Sequence, residues 1–322
     1  MQHYIYGFGL LFLDFRMAIK KVSLIGATGN IGSVLLEALV SSGDFDVTVV
    51  QRKSSKSKPS VGGAPVTVKT VDDGMSTASL QEAFQGRDAV VVAFPLGDLQ
   101  AHIRIAEAAA AAGVSRIIPA DYGGSDSSSA RPQELVPLFR NKTIVRERIQ
   151  ELTAQNPKFS WTSIVNGAFF DWGLREKFLH FDLQAKTADI LDGGEIRCSM
   201  STLARVAEAV VKVLQQADDE RTRNRMLFVQ SFCVTQNNVL EALRGATPGA
   251  EWKVKEWNTE DFIKEHTEKV AAGHPEAIED VVFALGILDS NWEGRDDFAM
   301  DLLGLQNEDL KTVVEQVVKS QK

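Results

Sequence analysis

The sequence predicts an α/β protein: a doubly wound parallel sheet with helices on both faces, followed by a smaller C-terminal α/β lobe. Three observations carry this expectation. Apolar strand-like runs alternate with helix-like stretches through the first half of the 322 residues. A glycine-rich turn sits directly between the first run and the first helix. Residues 88–94, Asp-Ala-Val-Val-Val-Ala-Phe, form a near-continuous apolar run, which suits a parallel strand buried on both faces.

The elements follow in order. Residues 21–25 are the first strand, and residues 31–40 carry apolar side chains at helical spacing up to a stop at Gly43. Residues 47–50 are a β-branched strand, residues 54–63 a polar loop, 66–71 a strand and 79–84 a short helix. After the apolar run, residues 99–112 are an Ala-rich helix closed by Gly113. Residues 116–119 are the next strand, 121–132 a long Gly/Ser/Asp loop, 143–153 a helix and 160–165 a strand. The second half is less regular. It yields helices at 202–215, 260–272, 275–283 and 307–318, the last with Asn307 as its N-cap. The boundary falls near Gly167, so that 17–167 form one domain and 168–322 a second lobe, some of whose segments return to the sheet.

Composition narrows the function. The formal charge of −8 argues against a nucleic-acid surface. Cys198 and Cys233 are far apart, in no metal-like spacing, and suit free thiols in a reducing compartment. The five histidines form no ligand pattern, so no metal is expected. There is no G-x-S-x-G elbow for a serine hydrolase. Residues 1–16 read as an N-terminal extension, apolar and aromatic but shorter than the ~20 residues a membrane span needs, with a docking strand or weak anchor as the alternative. The expectation is a cytoplasmic protein, monomer or homodimer, working on a small molecule, with no nucleic-acid or membrane partner.

The turn Gly26-Ala27-Thr28-Gly29-Asn30-Ile31-Gly32 has the spacing G-x-x-G-x-x-G, a variant of the Rossmann dinucleotide fingerprint. Gly26 turns the chain off the strand, Gly29 admits phosphate oxygens to the backbone, and Gly32 lets the helix pack close. The helix N-terminus then offers free N–H groups to a pyrophosphate. NAD sites place an acid at the end of the second strand. Here that strand runs into Gln51-Arg52-Lys53. Arg52 and Lys53 suit a 2′-phosphate, so the cofactor is expected to be NADP(H); the competing reading is a solvated basic loop. Asp73 follows the third strand, as an adenine contact or an ordinary turn residue. Phe94, Pro95 and Leu96 follow the fourth strand, where they border the nicotinamide.

The Tyr-x-x-x-Lys pair of short-chain dehydrogenases is absent. Instead the glycine turn, Gly86-Arg87-Asp88-Ala89-Val90-Val91, the run Ala112-Gly113-Val114-Ser115-Arg116-Ile117-Ile118-Pro119 and Lys142-Thr143-Ile144-Val145-Arg146 occur in order. This resembles the NmrA-like branch of atypical short-chain dehydrogenases, and within it the isoflavone reductase-like enzymes, fungal members being nearest. The resemblance covers residues 20–170 or so, about half the chain. It implies that Lys142 is the catalytic residue and that Gln100 lies near the phosphates. The family's Pro-Ser-Glu-Phe-Gly is Pro119-Ala120-Asp121-Tyr122-Gly123 here. Tyr122 therefore either lends a hydroxyl to the substrate pocket or packs as Phe would. Residues 166–170, Asn-Gly-Ala-Phe-Phe, match the segment lining the substrate cleft; Phe169, Phe170 and Trp172 make an aromatic wall or simply fill a core.

Independently of the resemblance, a Lys in a cleft loses hydration, its pKa falls, and it can donate a proton while hydride arrives from nicotinamide. The expected activity is NADPH-dependent reduction of a C=C or C=O bond in an aromatic or secondary-metabolite-like molecule, with Lys142 as general acid. The alternatives are an NADP-binding redox sensor without turnover and an isomerase or dehydratase on the same fold.

Overall fold

The computed structural model describes residues 18–321; the expected extension at 1–16 lies outside them. The first half alternates as expected: β1 (Lys21–Ile25), α1 (Asn30–Ser41), β2 (Asp46–Arg52), a small hairpin β3 (Ser60–Val61) and β4 (Ala64–Pro65), β5 (Thr67–Val71), α2 (Thr77–Phe84), β6 (Ala89–Val92), α3 (Leu99–Ala111), β7 (Arg116–Ile118), α4 (Ala130–Leu135), α5 (Pro137–Gln155) and β8 (Ser160–Val165). The second half adds β9 (Ala168–Phe169), α6 (Phe170–Arg175), β10 (Phe181–Asp182), β11 (Thr187–Leu191), β12 (Cys198–Ser201), α7 (Leu203–Gln215), β13 (Arg225–Phe228), β14 (Phe232–Val234), α8 (Gln236–Ala246), β15 (Lys253–Trp257), α9 (Thr259–Ala271), α10 (Ile278–Asp289), α11 (Met300–Leu303) and α12 (Leu310–Ser320).

The main sheet has seven strands in the order β13-β8-β7-β6-β1-β2-β5, all parallel. Order reverses between β1 and β6, and the crevice at that switch point, beyond the carboxyl ends of the strands, is where such sheets bind ligands. One apolar layer packs α1 and α7 on one face, around Leu24, Leu35, Val91 and Val210. Another packs α2, α3 and α5 on the opposite face, around Val50, Val90, Ile105 and Ile149. β6 is buried at all four positions, as its uninterrupted apolar run requires.

The lobe has its own core, including Phe181, Leu243, Phe262 and Val314, beneath two three-stranded sheets, β10-β11-β15 and β14-β12-β9. β13 returns to the edge of the main sheet. Two expectations need correction. The segment expected as one loop at 121–132 turns into α4 at Ala130. The last helix begins at Leu310 with Asp309 as its cap, accepting from the Thr312 N–H. Asn307 instead takes a bond from Gln230 Nε2 at 3.2 Å. Among the described residues no helix is long and apolar enough to cross a membrane.

Candidate active site

Leaving β1, the chain passes so close to β6 that a β-carbon on Gly26 would lie 2.7 Å from the Ala93 carbonyl; its φ is +86°. The Gly29 N–H closes the turn on Gly26 O at 3.1 Å. α1 then starts with Gly29 as N-cap, with no side-chain cap and no acid in its first turn. Its leading N–H groups are left for an outside partner. A β-carbon on Gly29 would meet nothing in the protein closer than 3.5 Å. Packing therefore does not demand glycine there, whereas close approach by a phosphate does.

On one side of this turn lies a cleft of about 500 Å³, walled by Gly26, Thr28, Gln51, Arg52, Asp73 and Arg104 among others. The Arg52 guanidinium makes no hydrogen bond or ion pair among the described residues. Lys53, by contrast, is exposed and off the cleft wall, its backbone N–H tied to Val71 O at 2.8 Å. Asp73 accepts from the Ser54 N–H at 2.8 Å, which holds the Arg52 loop to the end of β5. Those bonds from Ser54 keep its carboxyl below the usual carboxylate range. Arg104, unremarked in sequence, clamps the facing loop through Met75 O at 3.0 Å and Gly74 O at 3.0 Å. Gln100 sits on α3 but lines neither cleft.

Phe94 and Pro95 wall this cleft and also a second one, of about 480 Å³. His102 sets their position. Its ring packs, tilted by 33°, against Phe94 at 4.2 Å between centroids, and its Nε2 lies 3.3 Å from Pro95 O. Burial pushes this imidazole down to about 4, so it is neutral near pH 7. Gly29, Asn30, Ile31 and Leu96 lie on the wall of the second cleft, opposite an apolar side made by Leu138, Phe139, Phe169, Trp172, Phe178 and Val282. Gly32 lies behind the turn and lines neither cleft.

The aromatic wall is thus partly different from the one expected. Phe169 and Trp172 are on it, and Phe178 joins Trp172 at 5.5 Å. Phe170 points the other way: it is fully buried, edge-to-face with Phe232 at 4.7 Å. Tyr122 borders the cleft, but its hydroxyl is buried without a partner among the described residues, and burial pushes the phenol above its ordinary value. It packs as Phe would.

Among the described residues, Lys142 carries the only charge on the wall of the second cleft. It lies in the second turn of α5, buried, with its Nζ donating to three successive carbonyls: Asp121 at 3.2 Å, Tyr122 at 2.8 Å and Gly123 at 3.1 Å. Positive φ at Gly123 (+80°) and Gly124 (+70°) curls the loop around the amine. Asn166, at the end of β8, accepts from the Gly123 N–H at 2.8 Å, and Gly167 O takes the Gly124 N–H at 3.0 Å. Burial lowers the amine to about 8; the Asp121 carboxylate opposes this and Arg146 adds to it. Arg146 sits one helical turn on, same face, the i,i+4 relation that the Lys-x-x-Val-Arg spacing encodes.

An NAD(P)H-binding family model matches residues 26–217, more than half of the chain. An oxidoreductase of Aspergillus flavus, aprR, is 37% identical over 257 residues, 79% of this chain and 81% of that protein. The structure of AtPrR2 with NADP+ and (+)-pinoresinol superposes with a TM-score of 0.71 at 19% identity, covering 93% of this chain and 99% of the other. The crystal structure of an isoflavone reductase gives 0.72 at 18% identity, covering 92% and 99%. By its family match and its fungal relative, borne on an isoflavone reductase-like fold, this chain belongs to the NAD(P)H-binding family and is an oxidoreductase.

Proposed function

We propose that the protein is an NADPH-dependent reductase acting on a C=C or C=O bond of an aromatic, secondary-metabolite-like small molecule, with Lys142 as general acid. One observation carries this reading: two clefts share the Phe94–Pro95 wall and meet at the glycine turn, one walled by Gly26, Thr28 and Arg52, the other by the uncapped start of α1, an apolar face and, among the described residues, a single charged side chain, the buried Lys142. The resident dinucleotide supplies the hydride when bound. The residues that would hold it are the backbone amides of the turn after Gly26 and of the first turn of α1, with Thr28 and Asn30 beside them, and Arg52 for a 2′-phosphate. No acid ends β2 to prefer a free ribose hydroxyl. Phe94, Pro95 and Leu96 would border the nicotinamide, and Asp73 keeps the Arg52 loop in place.

Phe169, Trp172 and Phe178 give a flat substrate an apolar face and exclude water, which strengthens the field of the Lys142 charge on a developing oxyanion. Lys142 passes one proton to the substrate, breaking an N–H bond and forming an O–H or C–H bond, and is reprotonated from solvent. Substrate, NADPH and H⁺ thus become reduced product and NADP⁺. In this reading residues 17–167 serve the cofactor and 168–322 the substrate. The free, buried Cys198 and Cys233 suit a reducing cytoplasm, with the chain a monomer or homodimer. The test is NADPH oxidation against a panel of aromatic ketones, enones and quinones, with products identified by mass spectrometry. Tight NADPH binding with no turnover on any of them would instead mark a redox sensor.

A further inference from the structure

The Lys142 amine has a carboxylate near it that it does not bond. Asp121 Oδ1 lies 3.9 Å from Nζ, beyond hydrogen-bond reach, although both side chains are 4% exposed. The carboxylate is taken up elsewhere. Arg146 Nη1 donates to Asp121 Oδ2 at 2.5 Å and to Ser127 Oγ at 2.9 Å, and Ser127 Oγ donates to Asp121 Oδ1 at 3.2 Å. Thr143 Oγ1 and Gln133 Nε2 both donate to Ser127 O, at 2.7 and 2.8 Å, which fixes Ser127 in turn. A buried carboxylate without a partner is costly, so removing one cation sends it to the next.

We propose that Arg146 is a positioning residue: it holds the Asp121 carboxylate against Ser127 and off the Lys142 amine, leaving that amine bonded to neutral backbone carbonyls and able to release a proton. This rests on the reading of Lys142 as the acid and assigns the second cation of the Lys-x-x-Val-Arg element its task. The other titratable groups facing Lys142 do not substitute for it. His102, on α3, shares a small void with Lys142 and Asp121 but is neutral, and the Tyr122 phenol is buried and un-ionised. Without Arg146, Asp121 closes from 3.9 Å to hydrogen-bond distance of Nζ, the direct repulsion from the guanidinium is also gone, and the ammonium holds its proton more tightly.

The test is a ¹³C NMR pH titration of ε-¹³C-lysine-labelled full-length protein with NADP⁺, the Lys142 signal assigned by its loss in Lys142→Met. The wild-type midpoint is expected at about 8. In Arg146→Gln proton affinity rises about tenfold or more, and Arg146→Lys returns it toward wild type. In Asp121→Asn it falls. An Arg146→Gln midpoint that stays or drops overturns the proposal. Should that variant not fold, Asp121→Asn decides, and a midpoint that fails to fall overturns it. Full turnover in Lys142→Met, with the midpoints moving as stated, removes the acid role of Lys142 while leaving the Arg146–Asp121 relation intact.

Discussion

A β-carbon on Gly32 would lie 1.9 Å from the carbonyl oxygen of Gly26. The third glycine of the turn thus belongs to the fold, while the second is free of such contact. Gly32→Ala must push α1 off β1 and is expected to cost about 3 kcal/mol of stability, an overpacking penalty at the upper end. Gly29→Ala should leave the denaturation midpoint nearly unchanged and weaken NADPH binding. Chemical denaturation and fluorescence titration of the two variants side by side check this contrast.

Among the described residues the Arg52 guanidinium makes no hydrogen bond, and its charge acts only at longer range on the exposed Asp73 carboxyl, so its loss should be felt more by the cofactor than by the fold. Charge-assisted hydrogen bonds to a phosphate contribute about 1.5–3 kcal/mol, or roughly ten- to hundredfold in affinity. Arg52→Ala is expected to raise the Kd for NADPH by that factor and leave NADH unaffected. Lys53→Ala, whose side chain lies off the cleft wall, should change neither much. Equal weakening of both cofactors by Arg52→Ala would count against the 2′-phosphate role.

As the proposed general acid, Lys142 would donate only while protonated. With burial holding it at about 8, the rate should be flat on the acid side and fall as pH rises through that value. Lys142→Met should lower kcat about a hundredfold or more, with NADPH affinity kept, and should abolish this limb. A pH–rate profile with saturating NADPH reads both effects.

The lobe holds a second titrating cluster, away from the site. His180 joins Asp189 through Nδ1 and Asp280 through Nε2, each at 3.0 Å, and stacks on Phe283 at 4.3 Å. Burial opposes its charge, but the bonds it donates to the two carboxylates, with their negative charge, outweigh burial and raise it above the ordinary 6.5. His266 lies 3.6 Å from Asp280 and Trp257 donates to Asp189 at 3.1 Å. A folded value above the unfolded one gives stability that is complete below 6.5 and is lost as pH climbs through the raised value. Denaturation midpoints should therefore fall across that window, and His180→Gln should lower stability on the acid side by on the order of 2 kcal/mol and flatten the dependence.

Much of this was legible locally. The strand-turn-helix with its three glycines, the alternation that builds a parallel sheet and the unbroken apolar run of β6 are short-range patterns, and local sterics and burial on both faces dictate them. The basic end of β2 was equally plain. Sequence could not separate Arg52 from Lys53, because which side chain turns into the cleft depends on how β5 and Asp73 hold the loop. Neither could it separate Phe169 from Phe170, since one rotation at the start of α6 sends the second ring toward Phe232 and into the lobe's core. The lobe strands stayed hidden for a related reason: β15 is largely exposed and shows no period of its own.

The chain by itself determined a dinucleotide-binding α/β framework and a lysine on a helix after it, because those follow from spacing along one segment. Only the tertiary structure decided what that lysine is. Its burial, the three carbonyls from a loop twenty residues away and the carboxylate held just out of hydrogen-bond reach come from α5, the 121–127 loop and the 166–167 turn meeting, and proton affinity depends on that surrounding field rather than on the neighbours in sequence.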